Sequence, residues 1–410
     1  MGKMSSDRIN FKDKTRDLIA RRAGYRCSLP SCTRLTVGPG MDPEHSKCTG
    51  RAAHIYSASA GGPRGTGGLS EGEIRSSANA IWLCADHADL VDKNRGVDYP
   101  PSLLLSYKSL HEARIARELG GVYTALGWVN SLKVHSSPLF SESVHIDLGK
   151  LTLFIGENGV GKSALCDWLA SAADSRHLER WEHGYSEQNR VSVEVHYLDP
   201  QPHSAKISFL SQDYPRYELD GKVTNVPTAP LKLIIPRELR FPHGEDKPND
   251  LELISTVLGL HHYEVLALCE AIPSTGSDNV TRAWFQEDED GYFLYADVKG
   301  TNPGLPFRGL SGSECVRVLM ELAMIAASKQ AETKPTLLIL DAGAWSLDTD
   351  WLKHYGEILA SPNFGFQTVA SIPTRSLNLD ELRWAGWKVI RLEGQPPNVT
   401  LNFDVRAETE

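Results

Sequence analysis

The chain has 410 residues, with 52 Asp+Glu against 43 Lys+Arg for a formal charge of -9, and is 41% hydrophobic and 8% aromatic. That length exceeds one ordinary core and implies two or three domains of a soluble globular protein. No apolar run approaches the roughly 20 residues of a membrane helix, the start MGKMSSDRINFKDK is polar, and seven cysteines argue for metal ligation or free thiols over a disulfide framework, so the expectation is a cytoplasmic protein with no membrane partner.

The charge is unevenly distributed. Residues 1–120 carry 18 Lys+Arg against 13 Asp+Glu, whereas the remainder carries 25 against 39. A basic front joined to an acidic remainder puts any nucleic-acid contact on the first domain. There, Asp13 to Ala23 places Leu18, Ile19 and Ala23 at helical spacing among Lys14, Arg16, Arg21 and Arg22, which predicts an amphipathic helix with a basic outer face. It runs into Cys27 and Cys32, spaced by four residues around Pro30, a knuckle able to turn both sulfurs towards one ion. A second half-site follows at Cys84 and His87. Cys27, Cys32, Cys84 and His87 make a closed three-sulfur, one-nitrogen set suited to structural Zn²⁺, which contributes on the order of 10 kcal/mol to folding a small domain. Cys48, with His45 nearby, is the alternative ligand.

Between the half-sites stand Ala53-His54-Ile55, Gly61-Gly62-Pro63-Arg64 and Asn79. The order Cys-x4-Cys, AHI, GGPR, N-x-IWLC-x-x-H, LVD resembles the HNH endonuclease family of bacterial defence nucleases, over about residues 10 to 118. The resemblance implies a small zinc-stabilised α+β (ββα-metal) domain, residues 1–122, cutting DNA with a divalent metal at the nuclease site. His54 is then the general base and Asn79 the residue that orients the loop. Neutral imidazole has a pKa suited to taking a proton from water near neutrality. One position departs from the pattern: Ala88 stands where the family places its third motif residue. Asp89 or Asp92 are the substitutes, unless they are helix-cap or surface carboxylates. Pro100 to Leu119 predicts a second amphipathic helix closing the domain, ended by Gly120-Gly121.

From Trp128 the pattern becomes strand-like, and Ser143 to Ile155 leads into a phosphate-binding loop. In LTLFIGENGVGKSAL, residues 151–165, an apolar strand is followed by a glycine-rich turn and a helix. Gly156, Asn158, Gly159 and Gly161 let backbone N–H groups turn towards phosphate oxygens, Lys162 reaches the β and γ phosphates, and Ser163 holds Mg²⁺. Further strands are expected at Val191 to Leu198 and Lys206 to Leu210, Pro227 to Pro236 leads to a charged, proline-bearing loop, and helices are expected over Asp250 to Ile272. Only 146 residues separate Ser163 from Leu310, with no sustained heptads, which excludes a long coiled-coil arm. Leu310-Ser311-Gly312-Ser313-Glu314 precedes a predicted helix at Val316 to Lys329, and Thr336 to Asp341 predicts a buried strand ending in a carboxylate.

This set resembles the ABC-type ATPase head of SMC-like proteins over about residues 125 to 410. The resemblance implies an α/β P-loop domain over residues 123–410, with a compact helical insertion around 245–300. It also implies a two-fold dimer in which Ser311 and Gly312 of one copy cap the ATP held by the other. Asp341 would steady the Mg²⁺ shell, and Ser346-Leu347-Asp348 takes the place of the loop crossing the seam. Ala342 replaces the glutamate that polarises water, and Phe366 to Thr374 (FQTVASIPT, 366–374) lacks the switch histidine. Slow hydrolysis, with ATP acting as dimer glue, follows. Gln188, Gln201 and Gln212 are equal candidates for the glutamine loop.

The expected function is an ATP-regulated, metal-dependent DNA endonuclease of anti-phage defence, with ATP, Mg²⁺ and Zn²⁺ as cofactors and a homodimer or higher homo-oligomer as the working form. The alternative is an ATP-switched DNA-binding sensor or DNA-repair ATPase whose HNH domain is weak or inactive.

Overall fold

The computed structural model describes residues 8–30, 32, 34–119, 127–178, 181, 190–199, 201–209, 215–224, 231–236, 239–241, 249–272, 278–289, 291–341, 349–361, 363–373 and 377–403. The expectations for Gly120-Gly121, Gln188, Gln212, Ala342 and Ser346-Leu347-Asp348 lie outside these residues. Gln201 is described in its backbone only.

The front of the chain builds around a strand-strand-helix unit. Helix α1 (Asp13–Arg22) buries Ile19 and Ala20, while Leu18, expected on the apolar stripe, is 46% exposed. An exposed hairpin, β1 (Val37–Pro39) with β2 (Ser46–Cys48), leads to β3 (Gly50–His54). A loop carrying α2 (Glu71–Ile74), whose Ser70 and Glu73 form a reciprocal capping box, returns the chain to β4 (Ala80–Cys84) and α3 (Ala85–Leu90). Strands β3 and β4 pair antiparallel from Gly50↔Cys84 to His54↔Ala80. All five residues of β4 are buried, since α1 and α4 (Pro101–Leu119) cover this small sheet.

The rest of the chain forms a layered α/β body. Its central sheet has the order β12 (Lys232–Ile234), β16 (Thr336–Asp341), β17 (Gln367–Pro373), β7 (Leu151–Gly156), β18 (Trp387–Glu393), β19 (Thr400–Phe403), parallel except for β19. A parallel strand covered on both faces reads as a continuous apolar run, which is why TLLIL and LTLFI were legible. Alternation assigns the faces: Leu337 and Ile339 join one core, Leu338 and Leu340 the other.

The first core lies between the central sheet and an antiparallel sheet of order β11 (Lys222–Thr224), β10 (Arg216–Leu219), β9 (Gln201–Phe209), β8 (Val191–Asp199), β5 (Trp128–Ser136), β6 (Val144–Asp147), with α5 (Lys162–Ser171) between them. Trp168 of α5 is fully buried there. The second core packs the other face against α8 (Gly312–Gln330) and an inserted lobe.

That lobe corrects the sequence expectation. Helices α6 (Asp250–Leu258) and α7 (His262–Cys269) are followed by a three-stranded sheet, β13 (Val280–Asp288), β14 (Gly291–Val298) and β15 (Leu305–Pro306), so the insertion is mixed. Only every few residues of β13 face inward, and its charged outer positions hid the strand period. The remaining elements are α9 (Thr349–Leu359) and α10 (Leu379–Trp384). The stretch 143–155 is two strands joined through 148–150, and β12 is the strand described within 227–236. No helix among the described residues is long and apolar enough to cross a membrane.

Helix α4 belongs to both parts. Its Leu104 lies in the core of the front domain with Cys27, Ile55, Leu83 and Cys84, whereas Leu110 and Ala113 pack with Trp128 of β5 and Leu198 of β8.

Candidate functional site

At the carboxyl end of β7 the chain turns through Glu157, Asn158 and Gly159, all exposed, into α5. Gly159 (φ 88°) and Gly161 (φ 102°) hold the left-handed conformations that the turn needs. At Gly161 a side chain is excluded twice, since a Cβ there would stand 2.2 Å from Leu139 Cδ1. Lys162 Nζ donates to the carbonyls of Gly156 (2.9 Å) and Glu157 (2.8 Å), arching back over the loop. Burial lowers its pKa, opposed by Asp341 and Glu157. Ser163 follows in the first turn of α5.

Asp341 ends β16 and pairs across β17 in the register Asp341↔Ser371↔Phe154, with Oδ1 accepting from Ser371 Oγ at 2.6 Å. A turn with free loop N–H groups, a helix N-terminus, an ammonium, a hydroxyl and a strand-end carboxylate fits a nucleoside triphosphate with Mg²⁺. The triphosphate, when bound, supplies a multiply charged bridge that this loop and a second surface can share.

Ser311 caps α8, which begins at Gly312, four residues ahead of the Val316 start expected from the sequence. Its Oγ accepts from Glu314 N (3.4 Å), and Ser311 N donates to Glu314 Oε2 (2.7 Å). Ser311, Gly312 and Ser313 are exposed. Just upstream, Arg308 Nε donates to Asp250 Oδ1 (2.6 Å) and Leu294 N to Asp250 Oδ2 (3.0 Å), which ties this loop to the start of α6 and to β14. Asp250 is 1% exposed and neutralised in place.

In the front domain, Cys27, Cys32, Cys84 and His87 come together with all ligand atoms within 4.8 Å of one another. The loop after α1 docks on β4 through Ser28 N to Trp82 O (2.9 Å), and Cys32 N donates to Leu29 O (2.9 Å), closing the knuckle. His87 Nδ1 lies 3.4 Å from Cys27 Sγ and 3.3 Å from Cys84 Sγ. Burial pushes the Cys27 thiol up to about 12, so a divalent cation is needed to hold that sulfur as a thiolate. The set fits tetrahedral Zn²⁺. Cys48 is exposed on β2 and His45 is exposed beside Asp42, both apart from it.

His54 ends β3, and Asn79 immediately precedes β4. Asn79 is 5% exposed and clamps the chain that follows His54: Oδ1 accepts from Tyr56 N (2.7 Å), and Nδ2 donates to Tyr56 O (3.0 Å) and Ile74 O (3.2 Å). Two residues given no role from sequence complete this frame. The Arg64 side chain, 3% exposed, donates to the carbonyls of His54 (2.9 Å), Ile55 (2.7 Å) and Val91 (2.6 Å) and to Asp92 Oδ1 (2.6 Å). Lys108 of α4 donates to the carbonyls of Ser77 and Ala80, on either side of Asn79. Burial, opposed by Glu112, holds its ammonium down to about 8.

The His54 imidazole stacks on Phe11 with ring centroids 3.8 Å apart. The residues weighed for the second metal are engaged elsewhere. Ala88 is buried in the core, Asp89 pairs with Arg51 (2.7 Å), and Asp92 pairs with Arg64. Among the described residues the Cys27 set is the only cluster of three or more metal-ligating side chains.

No protein-family model matches the chain, and no curated protein does. Among solved structures, an SMC head bound to the C-terminal winged-helix domain of ScpA aligns over 67% of this chain and 97% of its own, with TM-score 0.46 and 13% identity. The SMC head domain from Thermotoga maritima aligns over 68% and 99% (TM-score 0.45, 13% identity). The recombination mediator RecF in its nucleotide-bound form aligns over 67% and 99% (TM-score 0.44, 9% identity).

Proposed function

We propose that this protein is an ATP-regulated DNA endonuclease: an ABC-type head binds ATP and Mg²⁺ and dimerises, and the dimer controls a zinc-pinned HNH domain in which His54 is the general base. The observation that carries this reading is the double membership of α4. The Ser106 hydroxyl of α4 shares its one proton between Ser102 O (2.9 Å) in its own helix and Leu148 O (3.1 Å), three residues before β7 begins, and Lys108, half a turn on, holds the carbonyls beside Asn79. A shift of the phosphate-loop strand therefore has a short rigid path to the loop that His54 enters.

In this mechanism Lys162 and Ser163 bind the triphosphate of one copy, and Ser311 and Gly312 of the other close on its γ-phosphate. Asp341 would help hold the Mg²⁺ that offsets the triphosphate charge. In the front domain, His54 Nε2 takes a proton from the water whose oxygen bonds to phosphorus, one ester P–O bond breaks, the leaving alkoxide takes a proton from solvent, and Asn79 and Arg64 keep the strand end in place. The chemistry asked of these residues is proton transfer and positioning. Anti-phage defence is the proposed setting.

The test is supercoiled plasmid nicking by purified protein, with and without ATP, in Mg²⁺, Mn²⁺ or Ni²⁺. Nicking that requires His54 supports the reading. Intact plasmid in every condition, together with unchanged phage resistance in cells carrying His54→Ala, overturns it. A second reading, an ATP-switched sensor or repair ATPase that binds DNA without cutting, is favoured by Ala88 and by the missing second ligand set. DNA retention on the wild-type protein with no nicking selects it.

A further inference from the structure

His54 Nε2 is buried and has no hydrogen-bond partner among the described residues. In a core histidine both ring nitrogens are normally satisfied, and in a general base one must reach water. The segment ahead of α1 lies against this imidazole. Phe11 lies flat on the imidazole, with an interplanar angle of 12°, and Ile9 N donates to Ala58 O (3.0 Å), just past the strand end that His54 closes. Arg8 and Asn10 are exposed, and the cap of α1, Lys12, makes no side-chain cap bond. The segment is therefore pinned at two points, both against the His54 strand end.

We propose that Arg8–Phe11 is an autoinhibitory strap: it closes over His54, and the imidazole gains water and substrate only when the strap lifts. The idea rests on the nuclease reading for its biological meaning, but the closure itself is a property of the fold. The charged groups around the imidazole agree with a closed state. Burial is the main cause that lowers the His54 pKa to about 4; Arg8 of the strap and Arg64 lower it further, while Asp92 and the backbone of Ile9 raise it. An imidazole in that condition is a poor base, and freeing it restores the ordinary value near 6.5. Exposed Arg8, beside the ring, gives a DNA phosphate a handle by which to draw the strap aside.

Two variants open the strap by different routes. A chain lacking residues 1–9 removes the Ile9 to Ala58 hydrogen bond and keeps Phe11; Phe11→Ala removes the stack. A third, Ile9→Cys/Ala58→Cys in a Cys48→Ser background, locks the strap under oxidation. The readout is the rate at which diethyl pyrocarbonate modifies His54 in the full zinc-loaded chain, followed by mass spectrometry, with exposed His45 as internal standard. The wild-type His54 is expected to react far more slowly than His45, the two opened variants to react about tenfold faster or more, and the oxidised lock to protect it fully. Zinc content checks that each variant is folded, and the lock remains informative if Phe11→Ala is not. Equal reactivity of His54 and His45 in the wild type, or no change in the truncated chain, overturns the strap. Plasmid nicking is scored separately: a freed His54 that still cuts nothing sinks the nuclease reading and leaves the strap standing.

Discussion

The Ser106 hydroxyl of α4 shares its one proton between the carbonyls of Ser102 (2.9 Å) and Leu148 (3.1 Å), and the Leu148 carbonyl is one of three in succession met by side chains from different elements. Lys388 of β18 donates to Asp147 O (2.7 Å), and Gln367 of β17 donates to Gly149 O (3.0 Å). The turn between β6 and β7 is thus locked to two strands of the central sheet and to the helix shared with the front domain. Such a turn moves as one body with β7, which ends in the phosphate loop.

Replacing Ser106 by Ala should weaken that link without touching the nucleotide. One hydrogen bond to a buried carbonyl is worth about 1 kcal/mol, so the protein should unfold slightly earlier and bind ATP as before. The diagnostic effect is on coupling: the difference in nicking between ATP-bound and ATP-free protein should shrink. A variant with undiminished ATP response would place the path elsewhere.

Zinc removal should act on the front domain alone. The metal contributes on the order of 10 kcal/mol to a unit this small, and Cys84→Ser removes a buried ligand from a closed set. Metal analysis should return one Zn²⁺ per chain for the wild type and none for Cys84→Ser, with proteolysis of the first hundred residues and retained ATP binding. Wild-type protein free of zinc after native purification would refute the centre.

How much of this was legible depended on whether the chemistry is local in sequence. The phosphate loop was readable because strand, glycines, Lys162 and Ser163 are contiguous, and the zinc set because each half-site carries its own spacing. Arg64 and Lys108 were missed because their partners are backbone carbonyls, which leave no mark on the residues that supply them. The β13–β14 hairpin was hidden by Gln286, Glu287 and Asp288, whose exposed positions break the apolar alternation. The closure of Phe11 over His54 joins residues far apart in the chain, and nothing in either neighbourhood encodes it.

The low pKa of His54 carries a signed consequence for stability. Its folded value, about 4, lies below the unfolded value near 6.5, so the unfolded chain binds more protons between those pH values. The contribution is present above pH 6.5 and is lost as pH falls towards 4. His111, whose pKa is also lowered by burial, adds in the same direction. Thermal unfolding of His54→Gln followed from pH 7 to 4 should therefore show a shallower loss of stability than the wild type, with His111 and His196, both lowered by burial, contributing to the slope that remains. Parallel profiles would mean that His54 titrates normally.

The buried pair behind the Ser311 loop gives the last test, and it separates positioning from binding. Asp250→Asn leaves Arg308 facing a neutral amide at a site where the carboxylate had also accepted Leu294 N. Breaking a buried pair on one side typically costs roughly 3–5 kcal/mol, although the partial exposure of Arg308 allows water to take up some of its charge, so the loss should fall at or below the lower end. The phosphate loop is untouched, so a single copy should still bind ATP with wild-type affinity. What should fail is ATP-dependent dimerisation, because the Ser311 loop is no longer fixed against α6 and β14. Light scattering with ATP and Mg²⁺ measures it directly, and an Asp250→Asn protein that dimerises as readily as the wild type would show that the exposed Ser311 face needs no such support.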